Sequence, residues 1–122
     1  MAGDSAKRRA QRLSTEIAAS LSGRSPRPVT VIDLSLSGCL VRGDALLDQG
    51  AILDLSMPLE GQTLEAKVKV AEAFVDGDTL AGGAPRFLAG LEFLGLPGGE
   101  QARLRRFLEA ERRRRSARTP AP

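Results

Sequence analysis

Residues 62–75, QTLEAKVKVAEAFV, constrain the fold more than any other stretch of the chain. Leu64, Ala66, Val68 and Val70 recur at every second position, with Glu65, Lys67 and Lys69 between them. Only an extended backbone puts residues i, i+2 and i+4 on one face. The segment therefore predicts a strand with one apolar side and one solvated side. Turn signals bracket it: Glu60-Gly61 before, then Asp76-Gly77-Asp78 and Gly82-Gly83-Ala84-Pro85 after. The preceding stretch, AILDLSM at 51–57, places Leu53 and Leu55 in one phase and Ile52 in the other. Pro58 is expected to end that strand, with Glu60-Gly61 as the turn of a hairpin.

The same reading gives further strands. Residues 13–21 alternate loosely, and Val29 to Leu34 is β-branched and apolar. Cys39 to Val41 is a short strand, and 86–94 alternates Phe87, Ala89, Leu91 and Phe93 with Arg86, Leu88, Gly90 and Glu92. Gly23 to Pro28, with two prolines, is expected to be a turn or loop. Ala45 to Gln49 reads as one helical turn or a loop. From Glu100 the period becomes helical, with Leu104, Phe107 and Leu108 at i, i+3 and i+4. The helix is expected to fray into the basic run Arg112–Arg115, leaving 111–122 as a frayed or disordered tail. Five or six short strands and one helix in 122 residues point to a small barrel or sandwich forming one domain.

Composition removes whole classes of function. The chain has no histidine and a single cysteine, Cys39. An internal disulfide is excluded, and there is no Cys/His cluster with metal-ligand spacing. Without histidine the commonest general base near neutral pH is missing, and no Gly-rich phosphate loop or recognisable carboxylate pair replaces it. Ser35 or Cys39 as a nucleophile would lack a base of the usual kind, so an enzyme is not expected. The N-terminus has no apolar core of a secretory signal, and no apolar run approaches the roughly 20 residues that span a bilayer. A cytoplasmic protein without membrane insertion is the expectation.

Charge is unevenly spread. Residues 1–12 carry +3, residues 13–102 carry −6 and residues 103–122 carry +6. Cationic ends on an acidic body suggest an anionic ligand or partner met at an end, although solvated tails would look the same. Nucleic-acid binding through Arg103, Arg105, Arg106 and Arg112–Arg115 is the weaker alternative. The body is acidic, and with no Tyr or Trp there is little to serve as a stacking platform. The Leu104, Phe107, Leu108 stripe reads as core, with a homodimer face as the sharper alternative.

Two short constellations carry the chemistry. Asp33-Leu34-Ser35-Leu36-Ser37-Gly38 follows a strand and offers an acceptor, a hydroxyl and a backbone free of side chain. The same residues also suit a simple Asx or Ser turn with Gly38 at positive φ. Arg8-Arg9-Ala10-Gln11-Arg12 precedes the first strand and places guanidinium forks at Arg8 and Arg12. Such forks bind phosphates and the guanine O6/N7 edge bidentately. Alone, such a run is usually a solvated basic arm.

Taken together, Arg-x-x-x-Arg followed 21 residues later by Asp-x-Ser-x-x-Gly resembles the signature of the PilZ family, filled here by Arg8, Arg12, Asp33, Ser35 and Gly38. Val31 to Leu40, Leu47 to Leu55 and Gly90-Leu91-Glu92-Phe93 are similar to other parts of the family pattern, so the resemblance spans roughly 8–110. It implies a six-stranded antiparallel β-barrel with a C-terminal α-helix; residues 1–7, small, polar and without periodicity, are expected to be disordered. It also implies a bacterial receptor for cyclic di-GMP, of the kind associated with motility, exopolysaccharide production and surface behaviour. In that family the arginine segment is mobile when empty and wraps over the nucleotide when bound. Arg8 and Arg12 would contact guanine edges and phosphates, with Arg9 an additional phosphate contact. Asp33 and Ser35 would hydrogen-bond a guanine, and Gly38 would leave room for the ligand. No other cofactor is implied. The output would pass to an effector protein, and a PilZ-like adaptor that binds no nucleotide is the alternative.

Overall fold

The computed structural model describes residues 12–23, 26–76 and 86–118, with side chains to 116. Six strands run in chain order: β1 (Leu13–Ser22), β2 (Pro26–Leu34), β3 (Gly38–Gly43), β4 (Ile52–Leu59), β5 (Gln62–Val75) and β6 (Phe87–Phe93). One helix, α1 (Gly98–Arg118), follows. All neighbouring strands pair antiparallel, and the sheet closes in the order β1-β2-β3-β6-β5-β4. The expected six-stranded barrel with a C-terminal helix is the fold found.

The alternation read from 62–70 is the inside and outside of this barrel. Leu64, Ala66, Val68 and Val70 are buried, and Glu65, Lys67 and Lys69 are exposed. They join Val31, Leu34, Val41, Leu55 and Met57 in one core, with Leu104 and Leu108 from α1 packed into it. The helix is fastened where it meets the β4–β5 turn. Arg103 pairs with Glu100 at 2.8 Å and donates to the carbonyls of Thr63 and Leu59, each at 3.4 Å. The Glu65 N–H donates to Glu100 at 3.2 Å. That backbone hydrogen bond, with Arg103 second, holds the Glu100 carboxyl below its ordinary pKa.

Three expectations need correction, two for a backbone reason and one for side-chain ion pairs. Pro58 does not end β4, which continues to Leu59. Leu59 and Gln62 close the two-residue loop Glu60-Gly61, whose φ values of 50° and 84° are those of a tight primed hairpin turn. The next pair, Pro58 and Thr63, is the non-hydrogen-bonded kind, so the proline nitrogen faces away from β5. On that side β4 pairs with β1 only over Asp54–Ser56, so no ladder bond is lost. Pro26 and Pro28, expected in a loop, belong to β2, because β3 pairs with β2 only from Thr30 onward and leaves their other side an edge. The helix does not fray at 111: Glu111 pairs with Arg114 at 2.6 Å and Arg115 at 3.8 Å, and the helix runs to Arg118. Residues 45–49 form no helical turn. No helix among the described residues is long and apolar enough to cross a membrane.

Candidate functional site

Three register shifts interrupt the otherwise regular barrel, and two of them build one cleft. In β2 the shift falls between Val31 and Asp33. Val29 and Val31 face inward before it and Leu34 after it, so Ile32 and Asp33 are carried outward. A bulge of this kind re-aims a side chain without ending the strand. In β5 the shift falls between Val70 and Glu72, and two successive residues, Ala71 and Glu72, are exposed there. The outer surface between these bulges is an open cleft of about 450 Å³, within the usual range for small-molecule sites. Its lining includes Arg12, Asp33, Ser35, Ser37, Gly38 and Glu72.

The structure thus brings the two sequence motifs together as far as they are described. Arg12 Nη1 lies 3.5 Å from Asp33 Oδ2, with the arginine 57% and the aspartate 21% exposed. An exposed pair at this length contributes little to stability, and Arg12 is readily re-partnered. The other aspartate oxygen, Oδ1, is buried and has no hydrogen-bond partner among the described residues. An orphaned buried acceptor costs roughly 1–3 kcal/mol unless something donates to it. Arg8 and Arg9 lie outside the described residues.

Ser35 and Gly38 have structural work of their own. Ser35 is buried at 7% exposure. Its Oγ accepts from the Ser37 N–H at 3.2 Å and donates to the Gly38 carbonyl at 3.3 Å, while its own N–H donates to the same carbonyl at 2.9 Å. The serine therefore shapes the turn from β2 to β3, and the Ser37 hydroxyl, 3.1 Å away, lies on the cleft side of that turn. Gly38 does not have left-handed φ. A Cβ placed there would lie 2.0 Å from the Leu91 carbonyl oxygen, so this glycine lets β3 approach β6. Cys39, next in the strand, is buried, and its thiol is pushed up to about 12 by desolvation and by the Asp33 charge. Such a thiol is inert.

Ser37, Gly90 and Glu92, which fell within the motifs but were given no ligand role, also line the cleft, as does Glu72, which no motif included. Glu72 and Gly90 are far from Asp33 in sequence, and only the strand register brings them near. Among the described residues, no group of three or more His, Cys, Asp or Glu side chains could hold a metal ion.

Solved structures with the same architecture are PilZ-containing proteins and regulators. The chain is similar to the inhibitor of motility MotI/DgrA of Bacillus subtilis, with TM-score 0.72 and 17% identity, covering 89% of this chain and 51% of that one. It is also similar to the PilZ domain with c-di-GMP of YcgR from Escherichia coli, with TM-score 0.67 and 17% identity, covering 88% and 95%. A third is MrkH of K. pneumonia in its apo state, with TM-score 0.68 and 19% identity, covering 85% and 50%. The chain spans about half the length of MotI and of MrkH. No curated protein sequence matches it. The family model for the PilZ domain matches residues 6–110, from the basic segment through the barrel and into α1. The chain belongs to the PilZ domain family.

Proposed function

We propose that this PilZ domain is a cyclic di-GMP receptor whose N-terminal arm and cleft take the nucleotide together and pass its presence to a protein partner. The observation that carries the reading is the Arg12–Asp33 pairing inside the cleft. It joins a cation suited to phosphate with a carboxylate suited to the guanine N1–H and N2–H donors. The YcgR structure, a PilZ domain with c-di-GMP, supports the same assignment. Ligand binding exchanges partners: Arg12 leaves Asp33 for a phosphate, and Asp33 accepts from a guanine edge. The orphaned Oδ1 gains a donor in that exchange. Arg8 and Arg9 add charge against the ligand's two phosphates. Ser35 and Gly38 hold the β2–β3 turn in place, so the aspartate is presented at a fixed height. No bond is made or broken. The output is a shift between arm positions that a partner reads, in processes such as motility, where the MotI relative is an inhibitor.

The test is calorimetric titration of cyclic di-GMP into wild type, Arg12→Ala and Asp33→Ala, with GMP as the control ligand. Saturable binding by wild type that is lost in both variants and absent for GMP is the expected result. No binding by wild type well above micromolar ligand would overturn the reading and leave an adaptor that uses the barrel surface alone.

A further inference from the structure

The cleft has a second end, and its geometry follows from register alone. Asp33 on β2 stands opposite Leu40 on β3, Leu40 opposite Gly90 on β6, and Gly90 opposite Glu72 on β5. These four residues form one transverse row across the sheet, all on the cleft lining. At three inter-strand steps, the path along the curved sheet between the two carboxylate-bearing backbones is about 14 Å. Each acid reaches the outer face by a bulge, Asp33 after the shift in β2 and Glu72 after the shift in β5. Between them Gly90 leaves a floor with no side chain, and the Glu72 chain lies over it, with Cγ 3.3 Å from where a Cβ on Gly90 would stand.

Nothing among the described residues neutralises this acid. Glu72 makes no ion pair there. Glu92, another acid of the cleft lining, has Lys69 opposite it in the register, without an ion pair between them, whereas Glu72 stands opposite a glycine. An unpaired carboxylate facing a dianion is unfavourable unless it meets donors. A cyclic dinucleotide projects one base from each side of its sugar-phosphate ring, so a cleft with a carboxylate at either end can read both bases.

From this row we infer that Glu72 is a specificity-determining residue of the cleft, accepting N1–H and N2–H from one guanine while Asp33 reads at the opposite end. The inference rests on the receptor reading above and deepens it. Adenine offers an acceptor at N1 where guanine offers a donor, so a carboxylate at this place rejects adenine electrostatically. Glutamine in its place keeps the length but presents the donor-acceptor pair that suits adenine.

The experiment titrates cyclic di-GMP and cyclic di-AMP separately into full-chain wild type, Glu72→Gln and, as a control for loss of one negative charge elsewhere on β5, Glu65→Gln. Glu72 is exposed, so both variants are expected to melt with wild type. The inference expects Glu72→Gln to bind cyclic di-GMP about tenfold more weakly, the range of one lost bidentate base contact. Its preference over cyclic di-AMP should fall by more than that, while Glu65→Gln keeps both values. Unchanged or tighter binding of cyclic di-GMP by Glu72→Gln, with its preference intact, would overturn the inference and leave the receptor reading standing. Failure of wild type to bind cyclic di-GMP at all would overturn both.

Discussion

The two halves of β5 share a strand but not a task. From Leu64 through Val70 its side chains alternate strictly, the inward set filling the barrel and the outward set exposed, with Lys67 bound to Asp54 at 2.8 Å. Past the shift at Ala71 the inward position is only the half-buried Ala73, while Glu72, Phe74 and Val75 are exposed. The first half is specified by burial, which has one solution because a slip of one residue would turn four apolar side chains to water. The second half is released from that constraint by a single extra residue, and it can spend its side chains on a cleft. The same division recurs in β2, between Val29-Thr30-Val31 and Ile32-Asp33. A bulge is thus the point where stability stops choosing the residues.

Substitutions can break or sharpen this division. The largest effect is expected at Leu64, fully buried in the first half. Leu64→Ala should lower unfolding free energy by about 2–5 kcal/mol in urea titration, and a cost under about 1 kcal/mol would show that the barrel core repacks freely. Next is Gly38→Ala, whose added methyl would collide with the Leu91 carbonyl. It should cost about 1–3 kcal/mol or more and weaken ligand binding as a secondary result of moving β3, so a variant of wild-type stability would contradict the close approach. Cys39 adds a pH test. Its folded pKa of about 12 lies above the ordinary 9.0, so between those values the unfolded chain has released a proton that the folded chain keeps. Stability is then whole below pH 9 and falls as pH rises above it. Urea midpoints for wild type should decline more steeply there than those of Cys39→Ala, and parallel curves would contradict the burial. On the cleft side, Phe74→Ser should change stability by no more than about 0.5 kcal/mol, and a core-sized loss would erase the distinction between the halves. Smallest is Lys67→Ala, an exposed pair at 62% on both sides, expected at about 0.2–1 kcal/mol and diminished by salt.

How much of this was legible in the sequence follows the same line. Where burial decides, the pattern announces itself: 62–70, 29–34 and 86–94 read as strands because each alternates or is β-branched, and Leu104 and Leu108 read as core by helical spacing. Prolines misled the reading at 26, 28 and 58, since a missing N–H matters only on the side where a ladder runs, and that side is a property of the closed sheet. The helix end was also hidden, because the arginines that look like a solvated tail are held by Glu111 on the preceding turn. At the site, Asp33 was legible from its motif and Arg12 from its spacing, and the structure places them together. Glu72 was not legible, since its position opposite Gly90 depends on one extra residue that alternation does not reveal.

The barrel is closed, but unevenly. β1 and β4 share only three residue pairs, Ser20–Ser56, Leu21–Leu55 and Ser22–Asp54, so the remainder of this seam has no β1–β4 ladder. Two arginines of α1 close that seam from outside. Arg103 donates to the Leu59 carbonyl at the end of β4, and Arg115 donates to the Ser14 carbonyl near the start of β1 at 2.5 Å. The two are 12 positions apart, about 18 Å along the helix. Without α1 the Leu59 and Ser14 carbonyls would lose these donors, and three residue pairs alone would hold β1 against β4, a weak margin of the kind at which strands of other chains add.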